Sequence, residues 1–196
     1  MVNSSEFCPS MKLKALKAIE HIKNALVLAM IAVALTVIPL SPPVSAQPLN
    51  SWSSTTSYPT GIANQSCVTN SGFIYCVGGN SPSPTSAVFF APITSSGVGP
   101  WASTTPYGSA PTVPAGVPIE RESCVTNSGF IYCVGGFDGS TVVSNVFFAP
   151  ISSSGVGTWT STNSYPSTIL EQSCVTRASL IDCVGGNSGT SAVFFG

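Results

Sequence analysis

"SCVTNSGFIYCVGG" fills residues 66–79, and the same fourteen letters return at residues 123–136. A third, diverged copy, "SCVTRASLIDCVGG", occupies residues 173–186. Each copy carries two cysteines nine positions apart: Cys67 and Cys76, Cys124 and Cys133, Cys174 and Cys183. Around this phrase a longer unit recurs: a variable loop, "AVFFAPITSSGVGPW", then "ASTTPY". The apolar runs are short, rich in β-branched and aromatic residues, and bounded by Gly, Pro, Asn and Ser, which predicts strands throughout. Each unit then supplies four. "SCVT" is the first. "NSG" turns the chain through Gly72 or Gly129, where a positive φ carries little cost. "FIYCV" follows, nearly all apolar and so buried on both faces. "VFFAPI" is the third, and "SSGVG" leads to a fourth strand carrying Trp101 or Trp159.

If Ser71 and Gly72 are the two loop residues of the hairpin, Cys67 and Cys76 lie directly opposite, and the same register pairs Cys124 with Cys133 and Cys174 with Cys183. Opposed Cα atoms lie about 4.5–5.5 Å apart, within disulfide reach. A three-residue loop with a bulge would instead put the sulfurs on opposite faces. Three readings therefore stand: a cystine across each hairpin, reduced thiols in the core, or a metal site. The last has a poor spacing for zinc and no histidine beyond His21 to complete it. Six cysteines in an exported chain read as a disulfide framework.

A hydrophobic strand ending in Gly-Gly, then an aromatic strand and a Trp at a period near fifty, resembles the kelch repeat. The residues that carry the resemblance are Gly78 and Gly79, Gly135 and Gly136, Gly185 and Gly186, with Trp52, Trp101 and Trp159. The wording looks most like exported archaeal kelch-like arrays. The resemblance spans residues 50–196 and implies an all-β protein of three four-stranded propeller blades, only part of a propeller, with a fold like that of the central domain of galactose oxidase. The blades fall at about 66–107, 123–165 and 173–196, the last completed by a strand at 50–58 from the N-terminus. Cysteines in both of the first two strands depart from the kelch pattern. Known propellers have about four to eight blades. Either the chain assembles, two copies making a six-bladed ring, or it is a piece of a longer array.

The first 46 residues stand apart. Lys12, Lys14, Lys17 and Lys23 precede an uncharged run at 25–40, and "VSA" at 44–46 has the form of a cleavage site. That order of parts is a signal peptide. The alternative is an uncleaved anchor, with residues 25–40 as the sole contact with a membrane. Met11 is a second candidate start, which would leave Cys8 outside the protein. Domain boundaries follow at 1–46 and 47–196, and the location is outside the cell or on its surface.

Beyond residue 46 the chain has two cations, Arg121 and Arg177, against Glu120, Glu122, Asp138, Glu171 and Asp182. Two cations cannot neutralise a phosphate backbone, so nucleic acid is excluded as a main partner. The resemblance brings galactose-oxidase-type copper chemistry to mind, but that site needs histidines which this portion lacks. No cofactor and no catalytic set is expected. Glu120, Arg121 and Glu122 read as a solvated loop cluster, Asp138 as a turn residue, and Asp182 as a partner for Arg177 across the third hairpin. Trp101, Trp159, Tyr107 and Tyr165 read as packing between blades, or else as stacking surfaces for a glycan. Asn64 begins "NQS", a glycosylation acceptor in a loop. The expected role is non-enzymatic: an exported repeat module presenting loops, above all the insertion at 108–120, to a protein or glycan, and able to form a homo-oligomer that completes the propeller. The alternatives are a truncated piece of a larger kelch-type enzyme and a structural envelope component.

Overall fold

A computed structural model describes residues 17, 20–24, 51–110, 115–187 and 191–196. The chain divides into two units, 1–51 and 52–196. In the first, residues 20–24 are helical and exposed. The run at 25–40 and the cleavage point at 46 lie outside the described residues. Among the described residues no helix is long and apolar enough to cross a membrane.

The second unit is all-β and consists of three antiparallel sheets in chain order. The first contains β1 (Ser66–Asn70), β2 (Phe73–Val77), β3 (Val88–Thr94), β4 (Gly97–Val98) and β5 (Ala102–Ser103). The second repeats it with β6 (Ser123–Asn127), β7 (Phe130–Val134), β8 (Val146–Ser152), β9 (Gly155–Val156) and β10 (Thr160–Ser161). The third has β11 (Ser173–Arg177), β12 (Leu180–Val184) and β13 (Val193–Phe195). β4 and β9 are two-residue flaps folded back on β3 and β8, while β5 and β10 pair the outer edge of those same strands. Trp101 stands one residue ahead of β5 and Trp159 one ahead of β10, not within them.

The hairpins keep the expected register. Cys67 opposes Cys76, Cys124 opposes Cys133 and Cys174 opposes Cys183. All three pairs are cystines with Cα atoms 4.0–4.1 Å apart, which consumes the six thiols and removes the reduced-thiol and metal readings for them. Ser71 and Gly72 both have positive φ, as do Ser128 and Gly129, so each two-residue turn twists with its strands. In the diverged third copy only Ala178 does so, since Ser179 replaces the glycine.

The sheets pack face to face. Tyr75, Val77, Val88 and Ile119 meet Ile131, Ala149, Ile151 and Trp159 in one apolar cluster. Val125, Val134 and Ile169 meet Cys174 and Cys183 in the next. The innermost strands β1, β6 and β11 lie side by side.

Residues 50–58, expected as the closing strand of the third sheet, contain no strand among those described. They pack on the first sheet instead. Thr55 Oγ1 accepts the Val98 N–H at 2.8 Å and donates to Val98 O at 3.0 Å, while Tyr58 lies against Phe89 and Trp101.

Candidate interaction surfaces

Successive sheets are joined by a repeated set of contacts. The N–H of Gly79 donates to Ile119 O at 2.8 Å, and that of Gly136 to Ile169 O at 2.7 Å. The N–H of Arg121 donates to Asn64 O and that of Glu171 to Arg121 O, both at 2.9 Å. The N–H of Cys124 reaches Ser66 Oγ at 2.9 Å, and that of Cys174 reaches Ser123 Oγ at 3.0 Å. Asn64, Arg121 and Glu171 share one place in the repeat and all have φ near +60°. This conformation turns Arg121 outward, where it pairs with Glu171 at 3.4 Å.

The same turn sends its neighbours inward. Glu120 and Glu122 are 5% and 6% exposed, which corrects their reading as a solvated cluster. The preceding sheet ends in Gly78-Gly79, and their missing side chains make the space: a Cβ on Gly78 would collide with the Ile119 carbonyl and lie 3.1 Å from Glu122 Oε1. The sequence marks Gly-Gly as part of the repeat pattern but gives no sign there of a buried acid beside it. Asn64 Nδ2 donates to Glu120 Oε2 at 3.2 Å. Neither oxygen of Glu122 has a hydrogen-bond partner among the described residues. Burial pushes its pKa up to about 8, with Glu120 adding repulsion; the N–H groups of Glu122 and Ser66 pull the other way without full hydrogen-bond geometry. Tyr107, buried alongside, has its phenol raised by burial and then by Glu122.

The aromatic residues form a second repeated contact. Tyr58 meets Trp101 at 4.8 Å between centroids, and Tyr107 meets Trp159 at 5.0 Å, both edge to face. Each indole N–H points at the backbone before its tyrosine, Trp101 to Thr56 O at 3.5 Å and Trp159 to Thr105 O at 3.3 Å. Tyr107 and Trp159 are buried against each other, so their rings are packing and offer no face to a sugar. Tyr165 meets Phe194 at 5.2 Å as Tyr107 meets Phe147, but no tryptophan completes its contact among the described residues. A cavity of about 480 Å³ opens there, lined by Tyr132, Thr162, Asn163, Tyr165, Ile181 and Phe194 among others.

A second concavity, shallow and about 470 Å³, lies over the inner strands and is lined by Val68, Thr69, Val125, Thr126, Val175 and Thr176 with Cys67 and Cys124. It carries no charged group. The remaining charges are local: Asp138 Oδ1 accepts the Ser140 and Thr141 N–H groups at 2.8 Å, which lowers its pKa, and Arg177 Nε pairs with Asp182 Oδ2 at 3.1 Å. Asn64, at the head of the NQS sequence, is exposed. The insertion at 108–120 is anchored at both ends, by the Val117 N–H to Tyr107 O at 2.7 Å and by Ile119 bridging Thr85; residues 111–114 lie outside the described ones. No protein-family model matches the chain, and no curated protein matches it by sequence similarity.

Proposed function

We propose that residues 47–196 are kelch-like propeller blades of an exported protein, acting without catalysis as a scaffold that presents its inter-strand loops to a protein or glycan outside the cell. One observation carries the reading: three successive hairpins, each stapled by its own cystine, stack with their inner strands side by side. Cystines are compatible with an oxidising, extracellular compartment. The scaffold's polarity is hydroxyl and backbone, and its two deeply buried acids, Glu120 and Glu122, line neither of the two concavities described above. No cofactor enters this reading. The loops at 80–87 and 137–145 and the insertion at 108–120 differ between units while the first two hairpins are identical, as expected where a repeat scaffold meets its ligand.

The test has two parts. Material recovered outside an exporting host should begin at Gln47 and contain no free thiol. On a glycan array and on intact cells it should bind saturably, with binding lost when residues 108–117 are replaced by a short Gly-Ser linker. Retention of the full chain inside the host, or binding that ignores the loop replacement, would remove this reading. A second reading, a segment of a larger kelch-type array, is favoured by the vacant place beside Tyr165. It predicts that added downstream sequence of the same repeat raises stability.

A further inference from the structure

The chain carries both halves of its own sheet-to-sheet joint. Trp52 stands six residues before Tyr58, as Trp101 stands before Tyr107 and Trp159 before Tyr165. Trp159 is 4% exposed, yet Trp52 is 93% exposed, a large apolar surface left in water. At the other end, Tyr165 has its phenylalanine but no tryptophan. The series of tyrosines and the series of tryptophans are therefore offset by one. The unmatched tryptophan is Trp52, and the unmatched tyrosine is Tyr165.

The backbone contacts are offset in the same way. Gly79 and Gly136 donate to the isoleucine of the following unit, and the third in that series is Gly186; the isoleucine with no preceding unit is Ile62. Ser66 and Ser123 accept from the following cysteine N–H; Ser173 is the next serine, and Cys67 is the cysteine with no unit before it. A Cβ on Gly78 or Gly135 would collide with the next isoleucine carbonyl, whereas one on Gly185 meets nothing within 4 Å among the described residues. Four separate contact types, two of them hydrogen bonds, each leave one half at one end of the array and the other half at the opposite end.

We infer that a second copy of this chain docks head to tail on the third sheet, its Trp52 entering the cavity beside Tyr165 and Phe194. In the joint the Trp52 indole donates to Asn163 O, as Trp159 donates to Thr105 O. Ser53 and Ser54 add to the outer edge of β13, as Ala102 and Ser103 add to β3. The incoming Ile62 O receives the Gly186 N–H, and the Cys67 N–H reaches Ser173 Oγ. One corner is not reproduced. Thr104 clamps the Gly155-Val156 flap, but the residues before Trp52, "PLNS", offer Thr162 no Gly-Val to hold. Such an interface is heterologous, and it closes only when the rotation allows. This step rests on the propeller reading above: two copies of the three described sheets fall among the roughly four to eight blades a ring accepts.

The test uses the 196-residue chain from an exporting host, with mass measured by light scattering across about 1–100 µM. The wild type should have twice its monomer mass, and Trp52→Ala should dissociate at concentrations at least tenfold higher. Trp52 is exposed in the single chain, so its loss does not disturb folding. Tyr165→Ala should also be monomeric, and a mixture of the two variants should recover association, since it restores one intact joint. With Trp101 and Trp159 replaced by Phe, Trp52 emission should shift to the blue as concentration rises. A wild-type monomer, an open-ended polymer, a Trp52→Ala dimer like the wild type, or a blue shift independent of concentration would each overturn the inference. The last would mean that the chain's own N-terminal segment fills the cavity. None of these outcomes bears on ligand binding at the loops, so the two proposals fail separately.

Discussion

Glu122 Oε1 stands against Gly78 as Gln172 Nε2 stands against Gly135, so an acid occupies in the first joint the place an amide holds in the second. The Gln172 amide donates to Val134 O at 2.6 Å. Val77 is the counterpart of Val134, and only a protonated Glu122 has a hydrogen to offer its carbonyl. Burial agrees, raising the Glu122 pKa to about 8.

The pH dependence follows with a definite sign. Below about pH 4.5 the carboxyl is protonated in both folded and unfolded chains. Between there and about 8 the unfolded chain ionises and the folded one does not, so stability falls as pH rises; above 8 that loss is complete. Glu122→Gln should therefore stabilise at pH 7 by on the order of 3 kcal/mol and flatten the profile from pH 5 to 8. Urea denaturation at several pH values checks this. Equal slopes in both proteins would mean that Glu122 ionises freely.

Gly78→Ala and Gly135→Ala should each cost roughly 3 kcal/mol or more, from a strained positive φ and from collision with the next unit's carbonyl. Gly185→Ala bears the positive φ alone and should cost about 1 kcal/mol in the separated chain. Denaturant midpoints of the three variants decide it. An equal loss in all three would assign the effect to backbone conformation and not to the joint.

The Tyr75 hydroxyl donates to Ser152 O of the second sheet at 2.9 Å. Tyr132 stacks on Phe148 as Tyr75 stacks on Phe90 but makes no such bond among the described residues. Tyr75→Phe should cost about 1 kcal/mol and Tyr132→Phe close to nothing. Thermal melts of the pair measure the difference directly.

Removing a cystine should cost about 2–3 kcal/mol, less where the hairpin holds without it. The three should not be equally accessible. Cys67 is exposed, while Cys124 is 7% and Cys133 0% exposed. Under limiting reductant, timed alkylation and peptide mass mapping should find the 67–76 bridge open first and the 124–133 bridge last.

The legible part of this protein is local and the illegible part is not. Two cysteines, a two-residue turn and a period of two determine a hairpin register within fourteen residues, and Cys67 faces Cys76 as their positions require. The pairing of Asp182 with Arg177 follows from the same register. Glu120 and Glu122 were misread because their solvation is decided by Gly78 and Gly79, more than forty positions earlier in the chain. A signal was nonetheless present. Gln65, Glu122 and Gln172 all precede a Ser-Cys pair, and a glutamate alternating with glutamines marks a position that wants an amide's shape. The strand expected at 50–58 is absent among the described residues, which settle on the first sheet because Tyr58 and Thr55 belong to that sheet's contacts.

Each cystine closes within its own hairpin, and none of the three bridges one sheet to another. A chain emerging from its N-terminus delivers its cysteines in order, and the second of each pair arrives nine residues after the first. Correct pairing is then simply nearest-neighbour pairing, completed hairpin by hairpin before later cysteines can compete. The same arrangement means that a single cut between hairpins frees the pieces even under fully oxidising conditions. Durability against proteases therefore depends on the packing between sheets and not on the sulfur bridges.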